Sequence, residues 1–434
     1  MMTDDRALQD DQRTPVSVKS VRMIDVEERS EPPRRHDLHI ELAVPANCPK
    51  PLDEVQSDWV SYLTTGIRSS AERQWDSLSL NLSSVPQNLR DITERIALIS
   101  DISTHDALDN HNANLHFHTF VLSDEEPAFE ELAPAHDGDE FVPACENLSL
   151  PHRTLDGSWE SLIFNSNLKV SLLHYAQSAL LFSDMGVSNH VVSWNRLILL
   201  HGPPGTGKTS LCRALAHKLA LRLSHRFDTA QLLDIQSHSL FSKWFSTSGK
   251  LINRLFDLVK EMVQENPNTL VCVLLDEVES LAATRSELGG DPADSMRAVN
   301  ALLTCLDRLK AFPNVLILAT TNMTAKVDAA FCDRADLMLF VGNPTQDARH
   351  EILRTCLVEL QRVGLVQPGS ISEVSSLKTV AVASEGLSGR SLRRLPLQAH
   401  ALHLVHDVTP IHVDRFISAI LLVIEEERRS AGRG

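Results

Sequence analysis

The sequence predicts an α/β protein whose large central domain holds a parallel sheet with helices on both faces. Apolar, strand-like runs in this part of the chain alternate with helical stretches. That alternation is typical of a parallel sheet covered on both sides. A second observation, that helix-like patterns predominate after about residue 342, predicts a helical C-terminal subdomain. The predicted strands are residues 197–200, 231–235, 271–275 and 315–319, and the predicted helices are 209–222, 250–264, 295–310, 346–362, 388–405 and 412–428.

Composition indicates a folded protein of two to three domains. Of the 434 residues, 43% are hydrophobic and 23% are charged, close to the globular average. The net charge of −16 is concentrated in residues 1–150, which hold 29 acidic and 12 basic residues. An acidic half repels phosphate backbones, which disfavours non-specific nucleic-acid binding as the main activity, and we expect no direct sequence-specific binding.

The chain shows no sign of secretion or of membrane insertion. It begins without a basic and apolar signal segment, and no apolar run approaches the length that crosses a bilayer. Its seven cysteines are scattered and odd in number, which indicates reduced thiols. We therefore expect no membrane partner.

The pattern divides the chain into five parts. A polar arm, residues 1–35, is expected to be flexible. A small α/β domain at residues 36–122 precedes an acidic, proline-containing stretch at 123–155 that we interpret as a linker. The large α/β domain follows at 156–342 and the helical subdomain at 343–434.

A glycine-rich loop joins the first central strand to its helix. It matches the pattern GxxxxGK[ST] at every fixed position, in the strand–loop–helix context that makes such a match a phosphate site. Glycines let backbone N–H groups converge on phosphate oxygens, and the helix N-terminus adds its positive end. We expect ATP here, with Lys208 bridging the β- and γ-phosphates and Thr209 offering its hydroxyl to Mg²⁺. The predicted binding residues are Gly202, Pro203, Pro204, Gly205, Thr206, Gly207, Lys208, Thr209 and Ser210.

Two carboxylates, Asp276 and Glu277, follow the apolar strand at 271–275. Asp276 is predicted to hold Mg²⁺ through water, and Glu277 to polarise the water that attacks the γ-phosphate. Alone, such a pair would be read as a solvated turn. Its place 68 residues after Lys208 favours the catalytic interpretation.

Two further residues are predicted to act on the γ-phosphate. Asn322 ends the strand-like stretch 315–322 and is predicted to bond the attacking water or the γ-phosphate, as a sensor-one residue; alternatively it forms a turn. Arg334 is predicted to act as an arginine finger on a neighbouring subunit's phosphate. Its alternative is a surface ion pair with Asp333 or Asp336. Action in trans requires a ring or another head-to-tail assembly.

Arg390 begins a C-terminal helix and is predicted to reach the nucleotide from the helical subdomain, as a sensor-two residue. Arg393 competes for this role, because one helical turn places it on nearly the same face. Either could instead be a surface cation.

A Lys-Trp-Phe cluster, Lys243, Trp244 and Phe245, lies between the second central strand and the helix at 250–264. An aromatic side chain offers a passing polypeptide large apolar contact without sequence preference. We predict a loop that grips substrate; the alternative is that Trp244 or Phe245 packs beneath the loop.

Together these elements resemble the AAA+ ATPases. More narrowly, residues 192–196, 237–250 and 386–396 are similar to the pachytene checkpoint protein 2 family, known in animals as thyroid hormone receptor interactor 13. The resemblance is dense over about 151–345 and 385–403 and weak over 1–150. It implies an AAA+ P-loop sheet with a helical lid and an N-terminal domain that binds substrate or adaptor.

The same resemblance implies a homo-hexameric remodeller that uses ATP and Mg²⁺ to open HORMA-domain proteins. It engages them through the N-terminal domain, often with an adaptor, and pulls them through a central pore. The implied setting is meiotic chromosome-axis remodelling and recombination checkpoint control, with spindle-checkpoint disassembly in many lineages. We expect the protein in the nucleus, on chromosomes, with a cytoplasmic pool.

A different class of function stays open from the residues: a nucleotide-switched assembly factor or DNA-associated loader that does not thread its substrate. The aromatic loop at 243–245 and the acidic N-terminal half favour the threading motor. His111, His116 and His118 cluster in sequence, but they lack cysteine partners and lie in a strand-like setting, which disfavours a metal site.

Overall fold

A computed structural model describes ten segments of the chain. They are residues 37–69, 85–100, 114–132, 142–164, 167–188, 190–236, 248–279, 292–324, 327–369 and 375–431. The strands are β1 (Asp37–Val44), β2 (Arg95–Ser100), β3 (Asn114–Val121), β4 (Ala128–Leu132), β5 (Val142–Leu150), β6 (Leu197–His201), β7 (Thr229–Gln236), β8 (Thr269–Asp276), β9 (Val315–Thr321) and β10 (Leu337–Phe340).

The helices of the described segments fall into three groups. Those of the N-terminal part are α1 (Leu52–Ser69) and α2 (Gln87–Arg90). The central part holds α3 (Ser158–Ser161), α4 (Leu168–Asp184), α5 (Lys208–Arg222), α6 (Ser248–Glu265), α7 (Pro292–Leu309) and α8 (Ala329–Arg334). The C-terminal part holds α9 (Gln346–Arg362), α10 (Ser375–Ala383), α11 (Gly389–Ala399), a π-helical turn (His400–Leu404) and α12 (Val413–Ala431). The arm predicted at 1–35 lies outside the described residues.

The N-terminal part, residues 37–121, holds a three-stranded sheet of order β2-β1-β3. β1 runs antiparallel to β2 and parallel to β3. Its core gathers Ile40, Leu42 and Ile96 around Trp59 of α1, all buried. The Trp59 indole N–H donates to the Thr93 hydroxyl at 2.9 Å, which satisfies the one polar group of this buried side chain.

The large sheet has seven strands in the order β10-β6-β9-β8-β7-β5-β4. The first five are parallel, and β5 and β4 are antiparallel to their neighbours. Because strand side chains alternate between faces, Leu197 and Leu199 enter one core, while Ile198 and Leu200 enter the core on the opposite face. This mostly parallel sheet between helices confirms the predicted fold class.

Residues 123–155, predicted to be a linker, contribute two strands to the large sheet, so that prediction was wrong. β5 pairs with β7, and β4 adds to β5 as the last strand of the sheet. Cys145, Leu148 and Leu150 of β5 are buried against the core. Glu130 and Glu131, part of the acidic run that suggested a linker, lie on β4, and an edge strand leaves one side unpaired and tolerates charge.

The C-terminal helices form a separate lid with its own core. Buried Leu392 and Leu395 of α11 pack with Phe416 and Ile420 of α12. The helix predicted at 388–405 ends earlier as an α-helix and passes into the π-helical turn. No helix among the described residues has both the length and the apolar character needed to cross a membrane.

Candidate active site

The glycine-rich loop lies between the end of β6 and the start of α5, as predicted. Gly202, Gly205 and Gly207 have φ values of 146°, 77° and 97°, which side chains rarely adopt. A Cβ on Gly202 would lie 2.2 Å from the carbonyl oxygen of Val341. The loop therefore has a backbone conformation that requires these glycines. This conformation places the backbone N–H groups of the loop at the start of a helix.

Lys208 is the first residue of α5, and its side chain is only 5% exposed. Its ammonium donates to the carbonyl oxygens of Gly202 at 2.9 Å and Pro203 at 2.8 Å, and to Asn322 Oδ1 at 2.7 Å. Burial lowers the pKa of this ammonium, although nearby carboxylates, chiefly Glu279, oppose that shift. A buried cation held by exchangeable oxygens is suited to binding phosphate oxygens.

Asp276, the last residue of β8, lies beside Thr209 in the first turn of α5. The Thr209 hydroxyl donates to Asp276 Oδ1 at 2.7 Å, and the Thr320 hydroxyl donates to the same oxygen. Oxygen donors converging beside a phosphate loop are the ligands that Mg²⁺ prefers. These residues therefore fit a bound magnesium ion, which would neutralise charge on the nucleotide phosphates.

Glu277 follows β8 in the left-handed conformation, with φ of 55°. Its backbone N–H donates to the Thr320 hydroxyl at 3.1 Å. A left-handed non-glycine residue costs about 1–3 kcal/mol, which tertiary contacts must offset. The turn places Glu277 on the wall of a 100 Å³ cavity shared with Lys208, Asn322 and Arg390. This is where a base for an attacking water is required.

A larger cavity of 330 Å³ lies between the loop and the lid. Leu162, Ile163 and Phe164 form an apolar wall, suited to a nucleotide base. The backbone N–H of Arg390 donates to Gly205 O at 3.0 Å, which joins the lid to the loop. The remaining lining residues are Gly205, Thr206, Gly207, Ser210, Ile352, Gly389, Arg390, Arg393 and Arg394.

The two candidates for sensor two occupy different positions. Arg390 lines both the larger cavity and the 100 Å³ cavity at the phosphate loop. Arg393 lines only the larger one, and its guanidinium donates to the carbonyl oxygen of Ser161. The geometry favours Arg390 for phosphate contact and gives Arg393 a role in holding the apolar wall.

Arg334 lies at the end of α8 and makes a two-point ion pair with Asp307, with Nε–Oδ1 and Nη2–Oδ2 distances of 3.1 and 2.9 Å. Its expected alternative partner, Asp336, instead accepts from the backbone N–H of Asn195 and from Tyr175. Asn195 in turn donates to the carbonyl oxygen of Arg334 at 2.7 Å. Among the described residues that line the two cavities, Arg334 is absent, so its action in trans stays a prediction.

Two residues of the site escaped sequence reasoning. Thr320 bonds Asp276 and the backbone of Glu277, and Glu279 accepts from the backbone N–H of Asn322 at 3.0 Å. Both lie close in sequence to predicted site residues: Thr320 is two residues before Asn322, and Glu279 is two residues past Glu277. Lys243, Trp244 and Phe245 lie outside the described residues.

The histidines do not form a metal site within the described part of the chain, where no group of three or more potential ligands is arranged for a metal ion. Instead His118 Nε2 lies 3.0 Å from His39 Nδ1, and His116 contacts Asp37. His111 lies outside the described residues.

The fold and this site define the chain as a P-loop ATPase of the AAA+ class. The family model described as "ATPase family associated with various cellular activities (AAA)" matches residues 198–343, and a second, "TRIP13-like, AAA+ ATPase lid C-terminal domain", matches 368–428. A Pachytene checkpoint protein 2 homolog of Xenopus tropicalis is 38% identical over 410 residues, covering 90% of this chain and 93% of that protein. The chain therefore belongs to the pachytene checkpoint protein 2 family.

Other relatives agree with this assignment. A Pachytene checkpoint protein 2 homolog of Oryza sativa is 49% identical over 314 residues, a match that spans 65% of each chain. The solved structure of C. elegans PCH-2 superposes with a TM-score of 0.73 at 31% identity, covering 91% of this chain and 99% of that one. The E. coli MS115-1 HORMA:CdnC:Trip13 complex contains a chain of the same fold, with a TM-score of 0.53 at 18% identity, covering 64% of this chain and 94% of that one.

Proposed function

We propose that this ATPase is a homo-hexameric remodeller that opens HORMA-domain proteins by pulling them through a central pore, in some cases with an adaptor. The observation that carries the proposal is family membership over 90% of the chain, which includes the N-terminal part expected to hold the substrate. A relative of the same fold occurs in a complex named for HORMA, CdnC and Trip13. That likeness supports the fold of the ATPase, and the HORMA-domain partner of this chain is part of our proposal.

The proposed chemistry follows from the site. The glycine-rich loop and Lys208 would hold the β- and γ-phosphates of ATP, and Thr209 and Asp276 would hold a Mg²⁺ ion that neutralises phosphate charge. Glu277 takes the proton of the attacking water, and Asn322 orients that water or the γ-phosphate. Arg390 contacts the phosphates from the lid of the same subunit. Arg334 of a neighbouring subunit neutralises charge in the transition state, which requires a closed head-to-tail ring.

Substrate capture by a slow ATPase tests the proposal. Glu277→Gln should bind ATP without turning it over, and so hold substrate in the ATP state. The matched control is Lys208→Ala, which removes the phosphate-binding ammonium. We expect a purified HORMA-domain protein to be retained by Glu277→Gln with ATP and released by the control. Equal retention by both variants would show that nucleotide does not govern the interaction.

The alternative, a nucleotide-switched assembly factor or DNA-associated loader, differs in how it treats the substrate. In a threading motor, Trp244→Ala should keep substrate binding and lose remodelling, measured as conversion of a HORMA-domain protein between its closed and open forms. Ser246→Ala, a change beside the aromatic pair, is the control. If Trp244→Ala remodels at the normal rate, pore threading is wrong and the switch is favoured.

The cellular setting belongs to the same proposal. The relatives are named for the pachytene checkpoint, so we propose a meiotic role in chromosome-axis remodelling, with spindle-checkpoint disassembly as a mitotic counterpart. The protein is then expected in the nucleus on chromosomes, with a cytoplasmic pool. Imaging of a tagged chain in meiotic and mitotic cells tests this; signal excluded from nuclei at every stage would contradict it.

A further inference from the structure

Helix α5 carries the phosphate loop at its N-terminus and a buried ion cluster near its C-terminus. Lys218, only 1% exposed, donates from its ammonium to the two oxygens of Glu41 at 2.8 and 2.9 Å. The same ammonium donates to Glu160 Oε1 at 2.6 Å. Arg222, one turn further along, lies 3.6 Å from Glu41. Two carboxylates therefore face two cations; Glu41, Lys218 and Arg222 are buried, and Glu160 is partly exposed.

Glu41, Glu160 and Lys218 of this cluster belong to different parts of the molecule. Glu41, 0% exposed, lies on β1 of the N-terminal sheet, and Glu160 lies on the short helix α3. Beside the cluster, Leu221 of α5 packs against Ala43 and Phe120 of the N-terminal sheet. The N-terminal part is thus docked on α5 by an apolar contact and by Glu41.

Helix α3 leads directly into the apolar wall of the nucleotide cavity at Leu162, Ile163 and Phe164. Lys169 donates to the carbonyl oxygens of Trp159 at 2.7 Å and Leu162 at 2.9 Å, which holds both ends of this segment. Arg393 of the lid reaches Ser161 O. Glu160 therefore lies in a segment that lines the nucleotide cavity and contacts the lid, and its own side chain binds Lys218.

The Glu160 carboxyl is held in its charged form by this cluster. Burial raises the pKa of the Glu160 carboxyl, but attraction and hydrogen bonding by Lys218 outweigh it, so this pKa lies below its usual range. A buried ion network is weak evidence for stability, because apolar residues of similar size often stabilise as well. A positioning role explains better why charged groups occupy this place.

We propose that Glu41, Lys218 and Glu160 are positioning residues that couple the docking of the N-terminal part to nucleotide affinity. Neutralising Glu41 removes the carboxylate that pairs with Lys218 across the boundary. The weaker pairing favours opening of the boundary, and α3 with the cavity wall is held less firmly. By linkage, nucleotide binding strengthens docking of the N-terminal part by the same factor. A protein that binds that part can thereby raise or lower nucleotide affinity.

Glu41→Gln provides the diagnostic test, because Glu41 lines neither cavity. We expect the KM for ATP and the Kd for MgADP to rise about 5- to 10-fold, with kcat within about twofold of wild type. The matched control is Glu94→Gln, which removes an exposed ion pair with Arg153 at the same boundary, 3.0 Å long, and should change neither constant. If folded Glu41→Gln keeps the wild-type KM and Kd, the coupling is refuted.

Glu160→Gln should raise both constants directly. If Glu41 acts through Glu160, adding Glu41→Gln to Glu160→Gln should change them less than about twofold further, because coupled sites are not additive. Effects that multiply instead would mean that Glu41 acts by another route, against the proposal.

A measurement on the unaltered chain covers the case in which a variant does not fold. MgADP should slow hydrogen exchange in β1, β2 and β3 as well as around the phosphate loop. Protection confined to the phosphate loop would overturn the proposal. The inference rests on nucleotide binding and not on the substrate proposed above, so absence of any MgADP affinity in wild type would mark failure of the ATPase site itself.

Discussion

Replacing Gly202 by alanine tests whether the backbone path of the phosphate loop determines nucleotide binding. The new Cβ would lie 2.2 Å from Val341 O, where ordinary contact begins at 3.4 Å. The contact is with the backbone oxygen of Val341, directly after β10, so no change of side-chain rotamer can relieve it. The φ of 146° adds a conformation that alanine avoids. We expect a loss of about 3 kcal/mol in the free energy of unfolding. The Kd for MgADP should rise at least about tenfold, because Gly202 O also holds Lys208.

Gly364→Ala separates strain from steric obstruction. Gly364 has φ of 79°, but a Cβ there meets no atom within 4 Å. This control should cost about 1 kcal/mol of unfolding free energy and leave nucleotide affinity unchanged. Urea denaturation and calorimetric titration with MgADP measure both quantities. If Gly202→Ala unfolds and binds like Gly364→Ala, the contact with Val341 does not constrain the loop, and the reasoning fails.

Three further predictions concern catalysis and pH. Glu277→Gln should keep ATP affinity and lower kcat about 100-fold or more; normal phosphate release would remove Glu277 from the catalytic role. Asn322→Ala removes the acceptor 2.7 Å from Lys208 Nζ and should lower kcat about 100-fold with little change in Kd; a loss confined to Kd would assign Asn322 to binding alone. Burial lowers the pKa of His217 to about 3, so as pH falls below 6.5 the unfolded chain takes up a proton that the folded one does not. Between pH 7.5 and 5 the unfolding free energy should drop by about 2 kcal/mol on this account. In urea titrations, the unfolding free energy of His217→Leu should fall correspondingly less over this pH range than that of wild type. An equal fall in both proteins would contradict the assignment of this pH dependence to His217.

Sequence reasoning found the parts of the site whose chemistry depends on close spacing. The phosphate loop, Asp276 and Glu277 stand at strand ends, where a short pattern fixes both residue type and position. Asn322 was found because the strand before it is uniformly apolar. In each case the relevant geometry is local to one strand and the turn that follows it.

Contacts between distant residues were not predictable from one sequence. Lys218 and Glu41 are 177 residues apart, and nothing in either neighbourhood indicates the other. The strands β4 and β5 were missed because acidic residues and prolines are as compatible with a sheet edge as with a linker. The four-residue β10 is too short for a periodic pattern to reveal.

The hydrogen bonds around Asp336 limit how each subunit can deform within the proposed ring. Asp336 and Asn195 join the end of α8 to the chain entering β6, and β10 pairs with β6 directly. Arg334, which we propose acts on a neighbouring subunit, precedes β10, and the phosphate loop follows β6, so both adjoin neighbouring strands of one sheet. We expect their separation to stay constant through the reaction cycle. Any stepping motion of the assembly must then occur at the junctions between subunits or where the lid meets the sheet.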